Sequence, residues 1–140
     1  MALTIWHKKR CIAKDVKPCN NPLAQARGNM FRTAPKNLLF TFPTPRRVTI
    51  HMFFVFFPLH IIYLDEQNNV IDKAHLRPFQ WHTPSAPAKR VLELASNNSH
   101  ASTIKTGDTL TLSPQEHRRK IYKRTILKRN TPHGKHPNRR

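Results

Sequence analysis

A chain of 140 residues holding 25 Lys and Arg against seven Asp and Glu, with a formal net charge of +18, is one domain long and can bury a core if most of it packs. So basic a balance directs attention to anionic partners: RNA, DNA or an anionic membrane surface. Two cysteines, Cys11 and Cys19, stand eight positions apart outside any Cys-x-x-Cys, which argues for a reduced pair in a cytosolic protein and against a disulfide framework.

The charge is uneven. Residues 1–29 carry six Lys and Arg against Asp15, residues 30–116 carry nine against six acids, and residues 117–140 carry ten against none. A near-neutral body with cationic extensions is the organisation this predicts. The N-terminus places its short apolar run before its charges, the reverse of a secretory signal, so a cytoplasmic location is expected. The Asn97-Asn98-Ser99 sequon is then without consequence.

In chain order, residues 1–22 read as a basic N-terminal arm with one edge strand around Ile12 to Val16, stopped by Pro18. Leu23 to Arg32 reads as a short helix or turn ended near Gly28, the residue type that most readily takes positive φ. Leu38 to Phe42 is a strand closed by Pro43 and Pro45.

Val48 to Leu64 holds the densest apolar content in the chain. With a two-residue period, both sides of Val48 to Phe57 turn apolar after His51, which predicts a central strand covered on both faces. Pro58 ends it and Leu59 to Leu64 follows as a second strand. A membrane-spanning helix is the rival reading of this run, and its two histidines, internal proline and β-branched content argue against it.

Asp65 to Asn69 is a hairpin turn and Val70 to Leu76 its returning strand. Arg77 to Pro87 is a proline-pinned loop from which Phe79 and Trp81 are expected to fold back as a lid on the core. Lys89 to Leu94 alternates as a half-buried strand, Ser96 to Ile104 offers one helical turn, and Thr106-Gly107-Asp108 turns into a last strand, Thr109 to Leu112. Ser113-Pro114-Gln115-Glu116 reads as a capping box opening a basic helix over 114–130, with a disordered basic tail over 131–140. The β domain itself is expected over 23–113.

Ala26-Arg27-Gly28-Asn29-Met30-Phe31-Arg32, His51-Met52-Phe53-Phe54-Val55-Phe56-Phe57-Pro58, Tyr63-Leu64-Asp65, Arg77-Pro78, Val91-Leu92-Glu93-Leu94 and Gly107-Asp108 occur in an order that resembles domain-of-unknown-function family 192, over about residues 23–112. The resemblance implies a mainly β fold, a compact antiparallel barrel or sandwich-like domain of archaeal and bacterial proteins, and it implies no reaction and no catalytic residue. Asn29 stands where that pattern has Leu, His60 where an acid is usual, and Ala95-Ser96-Asn97 where Pro-Ala-Gly is usual.

His51, Asp65, Arg77, Glu93 and Asp108 are the polar residues at strands or turns of the expected core, and a cleft lined by some of them is the candidate pocket. The structural reading of the same residues has Asp65 and Asp108 capping turns, His51 satisfying a carbonyl, and Arg77 paired with Glu93. No Ser-His-Asp elbow, P-loop or dinucleotide glycine pattern occurs, and His133-x-x-His136 lacks the spacing of a structural zinc site, so no metal or cofactor is expected.

Two functions are thereby expected. The first is a non-enzymatic binding module that holds nucleic acid, RNA before DNA, through Arg118, Arg119, Lys120, Lys123, Arg124, Lys128 and Arg129, with exposed aromatics such as Trp81 or Tyr122 stacking on unpaired bases. The alternative is a small-ligand binder or enzyme using a core cleft near His51, Asp65 and Glu93.

Overall fold

The structure, a computed structural model, describes residues 1–115. Its elements in order are β1 (Leu3–His7), β2 (Arg10–Cys19), α1 (Pro22–Arg27), β3 (Leu38–Arg46), β4 (Ile50–His51), β5 (Leu59–Leu64), β6 (Val70–Leu76), β7 (Trp81–His82), β8 (Ala88–Ala95), a 3-10 turn (Ala101–Thr103) and β9 (Leu110–Pro114). Seven strands form one curled sheet in the order β6-β5-β8-β3-β2-β1-β9, and β4 pairs separately with β7. The expected basic helix over 114–130 and the tail over 131–140 fall, beyond residue 115, outside the described residues.

The fold is mainly β, as the patterning indicates, with the shape of a half-barrel. Near one end the two edge strands meet: Asn69 bridges Thr109, Val70 N–H donates to the Asp108 carbonyl at 2.7 Å, and Leu110 N–H donates to the Asn68 carbonyl at 2.9 Å. That partial closure removes part of an exposed edge. One pairing departs from the antiparallel expectation. β2 and β3 run parallel, with Lys17 beside Leu38 and Cys19 beside Phe40, because α1 and the loop after it carry the chain back to the start of the next strand.

Alternation along the central strands divides the core into two sides. Ile62 and Leu64 of β5, Leu92 and Leu94 of β8 and Leu39 of β3 join Ile5, Val16, Val70 and Leu110 inside the half-barrel, where Ala101 and Ile104 at the 3-10 turn close it. Leu59, Ile61 and Tyr63, Val91, and Leu38, Phe40 and Phe42 form the opposite face. α1, the 48–57 segment and the β4–β7 flap cover that second face. The Tyr63 hydroxyl donates to the His82 carbonyl at 3.1 Å and pins the flap down, while Asp72 Oδ2 accepts from His82 Nε2 at 3.0 Å and from Ser85 N–H at 2.9 Å.

Three expectations are corrected here. Residues 1–22 form two strands, β1 and β2, and neither is an edge of the sheet, since β6 and β9 are. Val48 to Phe57 is not a central strand: only Ile50 and His51 pair, and the Met52 carbonyl then gathers the Val55 and Phe79 N–H groups into a turn. The apolar density is real, but β5 occupies the place between β6 and β8, and the preceding segment is left to roof the second face through Met52 and Val55. Phe79 and Trp81 are no lid, because both side chains are exposed. Ser113 and Pro114 complete β9 opposite Thr4 and Leu3, and Ser113 Oγ accepts the Trp6 indole N–H at 3.2 Å, while Glu116 of the expected capping box lies outside the described residues. No helix among the described residues is long and apolar enough to cross a membrane.

Candidate functional site

β8 lies between β5 and β3, and its residues pack into a core on each side of the sheet, Leu92 and Leu94 on one and Ala88 and Val91 on the other, so a polar residue in mid-strand is buried whichever way it points. Glu93 is that residue. Its Cα pairs with Ile61 on one side and Leu38 on the other, and 6% of its surface is accessible. The half-buried pattern expected for Lys89 to Leu94 therefore gives way to a strand buried on both faces, Val91 to Leu94.

The carboxyl finds one partner from the far side of the sequence. Asn21 caps α1 by accepting the Ala24 N–H at 2.7 Å, and Gly28, with φ 47° and ψ −126°, returns its own N–H to the Ala24 carbonyl. A side chain avoids that backbone conformation, so glycine lets the chain fold straight back over the sheet. The turn delivers Asn29, which is 2% exposed, onto Glu93. The amide is fixed at both ends: Oδ1 accepts the Lys36 N–H at 2.9 Å, and Nδ2 donates to the Lys36 carbonyl at 3.1 Å and to Glu93 Oε2 at 2.7 Å. Burial pushes the Glu93 carboxyl up to about 7, against the smaller opposing effect of the Asn29 hydrogen bond.

Glu93 and Asn29 belong to the wall of a cavity of about 330 Å³. Its apolar lining comes from Met30, Phe40, Phe42, Ile50, Met52, Val55 and Leu59, and its mouth carries Arg27, Arg46 and His51. The Arg46 guanidinium sits 4.6 Å above the Phe42 ring, which holds that cation at the rim. A second cavity, about 250 Å³, lies over β5 and β6, where the His60 and His75 rings stack at 4.6 Å. Burial and then the charge of His75 lower the affinity of His60 for a proton.

Of the five candidate pocket residues, the fold brings His51 and Glu93 to one cavity. Asp65 caps its hairpin, accepting the Gln67 and Asn69 N–H groups at 2.9 and 2.8 Å; burial raises its carboxyl slightly, and the bonds from Asn69 and Gln67 outweigh that and hold it low. Asp108 caps the last turn by accepting the Lys105 N–H at 2.8 Å, which holds its carboxyl low, and it meets His7 at 3.3 Å. Arg77 is exposed, its N–H taken by Gln80 Oε1 at 2.8 Å, and the expected pairing with Glu93 does not form. The physical reason is direction: Glu93 faces the roofed side of the sheet. His51 is exposed at the cavity mouth, with its ring 5.3 Å from that of Phe53.

Asn29, which completes the site, was noted above only as a departure from a family pattern. Among the described residues no three His, Cys, Asp or Glu side chains gather as a metal would need. The seven cationic candidates from Arg118 to Arg129 lie outside the described residues.

A family model for Uncharacterized ACR, domain-of-unknown-function family 192, matches residues 4–112. The chain belongs to this family. The match begins in β1 and ends in β9, so the family's unit takes in the N-terminal hairpin that the resemblance over 23–112 left out. A UPF0127 protein of Pyrococcus furiosus is 28% identical over 105 residues, covering 74% of this chain and 90% of that one. Another UPF0127 protein, of Pyrococcus abyssi, is 35% identical over 80 residues, 56% of this chain and 68% of its own. A protein of unknown function from Novosphingobium aromaticivorans has a crystal structure that superposes with a TM-score of 0.68 at 23% identity, covering 79% of this chain and 83% of that one. The crystal structure of a candidate transcription regulator from Sinorhizobium meliloti superposes with the same TM-score at 19% identity, covering 79% of this chain and 91% of its own. At these identities the two structures show a likeness of fold alone.

Proposed function

We propose that this member of family 192 is a binding module for a small molecule with an apolar body and a hydrogen-bond donor, seated in the Glu93 cavity. The observation that carries this reading is the Glu93 carboxyl: among the described residues Asn29 Nδ2 is its one hydrogen-bond donor, and the carboxyl lines the cavity together with Phe40, Met52, Val55 and Leu59. A hydrogen bond to a charged group is worth about 1.5–3 kcal/mol, so a ligand that donates to the ionised carboxyl gains about that amount on binding. The volume, about 330 Å³, is at the small end of ligand pockets, which run from roughly 300 to 1,000 Å³.

Nuclear magnetic resonance with benzylamine, benzamide and benzoate as probes tests the reading on the full chain. The two donors are expected to bind, to shift the Gly28 and Asn29 amides, and to lose about tenfold or more in affinity in Glu93→Met, which keeps the volume and removes the acceptor. Equal binding of benzoate, or shifts remote from the cavity, contradicts it.

A second reading rests on charge. Ten Lys and Arg and no acid between residues 117 and 140 support association with a polyanion, RNA before DNA, through the cations from Arg118 to Arg129. Oligo(U) binding by the full chain should then weaken steeply as salt rises and vanish when 117–140 is deleted; binding indifferent to salt removes this reading.

A further inference from the structure

Beyond that cavity, six large apolar side chains stand between 44% and 66% exposed on three segments that touch one another: Phe31, Phe53, Phe54, Phe56, Phe79 and Trp81. The segments are stitched by their backbones. Phe31 N–H donates to the Phe54 carbonyl at 2.9 Å, Phe79 N–H to the Met52 carbonyl at 3.0 Å and Met52 N–H to the Gln80 carbonyl at 2.8 Å, and Trp81 pairs with His51. The rings also meet, Phe31 stacking on Phe54 at 5.0 Å and Phe53 meeting Phe79 edge-on at 6.4 Å.

Three of these phenylalanines occupy left-handed backbone conformations: Phe31 at φ 58°, Phe54 at φ 58° and Phe79 at φ 66°. A bulky side chain there costs about 1 kcal/mol or more, and glycine or asparagine would be cheaper at each tip. Each ring is therefore held out at a cost in strain as well as exposure. Folding of the domain gains little from either, so a partner that covers the rings is the natural beneficiary.

Charge chooses among partners. Arg32 follows Phe31, Arg77 stands two residues before Phe79, and Arg27 and Arg46 line the adjoining cavity with His51 and Met52, while the chain has no Asp or Glu from residue 16 to residue 64. A second copy would bring the same cations face to face, so the partner is anionic. Stacked rings such as Phe31 and Phe54, 21° from parallel, each cover one face of the other and leave an apolar knob rather than a row of open faces for successive bases. Phe31 and Phe79 also satisfy their N–H groups internally, as the bonds above show, which lowers the cost of bringing those two tips to an apolar medium.

We propose that this aromatic platform docks the domain on an anionic lipid surface, the phenylalanine tips entering the boundary between headgroups and acyl chains while the surrounding Lys and Arg meet lipid phosphates. The attachment is peripheral and independent of any ligand in the Glu93 cavity. Two weak terms, apolar insertion and charge attraction, combine in such binding.

The test mixes the full chain with vesicles of phosphatidylcholine and phosphatidylglycerol, with vesicles of phosphatidylcholine alone, and with oligo(U) RNA. Of the two kinds of vesicle only the anionic one is expected to bind, with tryptophan emission quenched by lipids brominated in the acyl chains and the quenching abolished in Trp81→Phe. The double variant Phe54→Ser, Phe56→Ser should partition on the order of tenfold more weakly or worse, with Phe79→Ser on a separate loop also weakened, while their unfolding midpoints hold. Absence of vesicle binding overturns the proposal. So does binding without quenching that the phenylalanine variants leave unchanged, which assigns attachment to charge alone, and so does quenching by oligo(U) but not by vesicles, which assigns the platform to RNA.

Discussion

Burial is what gives the Glu93 carboxyl its unusual affinity for a proton. In the unfolded chain a glutamate releases its proton near 4.5, whereas in the fold burial holds it up to about 7. The folded state therefore binds the proton more tightly, and its stabilising contribution is complete below the unfolded value. It is lost as pH rises through the folded one, because the ionised carboxylate is then trapped in an apolar wall with a single donor. Sequence reasoning singled out Glu93 and His51, and both reach the cavity. It gave Glu93 the wrong partner, because a lone acid in a strand says nothing about which distant amide will roof it; Asn29 is 64 positions away.

The turn after α1 decides where Asn29 sits. Gly28 adopts φ 47°, and a Cβ placed there would meet Phe40 Cζ at 3.5 Å and the Glu93 oxygens at 3.8 Å, which is ordinary contact. The cost of a side chain at this position is therefore backbone strain and not collision. Gly28→Ala should lower the unfolding free energy by about 1–2 kcal/mol, read from the urea midpoint, and an unchanged midpoint would remove the role assigned to this turn. Elements bounded by local chemistry were legible: the helix ended by Gly28, the Asp65–Asn69 hairpin, the strand Leu59 to Leu64 and the turn at Gly107 all stand where the residues put them. The segment from Met52 to Phe57 was not. Its hydropathy is that of a buried strand, and what turns it into an exposed aromatic edge is competition for one place in the sheet, a place β5 takes.

At the scale of the whole molecule, alternation along β3, β5 and β8 makes two buried faces, one inside a half-barrel and one roofed by α1, the 48–57 segment and the flap. A mainly β architecture was readable from the spacing of strands and turns. The parallel β2–β3 pair and the full incorporation of residues 1–22 were not, because the Lys and Arg of the N-terminal segment concealed β1 and made β2, expected around Ile12 to Val16, look like an edge, although the inward positions Ile5, Ile12 and Val16 are apolar. The proposed function rests on the second face, where, among the described residues, the one buried carboxyl lies beneath the roof. Urea unfolding of the full chain and of Glu93→Gln, repeated between pH 5 and pH 8, measures the consequence directly. The account predicts that the wild type loses about 2–3 kcal/mol relative to the variant across that range, since each tenfold difference in proton affinity between folded and unfolded chain is worth about 1.4 kcal/mol, and that the loss levels off once pH passes neutrality. Two curves that stay parallel from acid to alkaline pH would mean that Glu93 titrates as an ordinary surface carboxylate, and the proposed site would not exist.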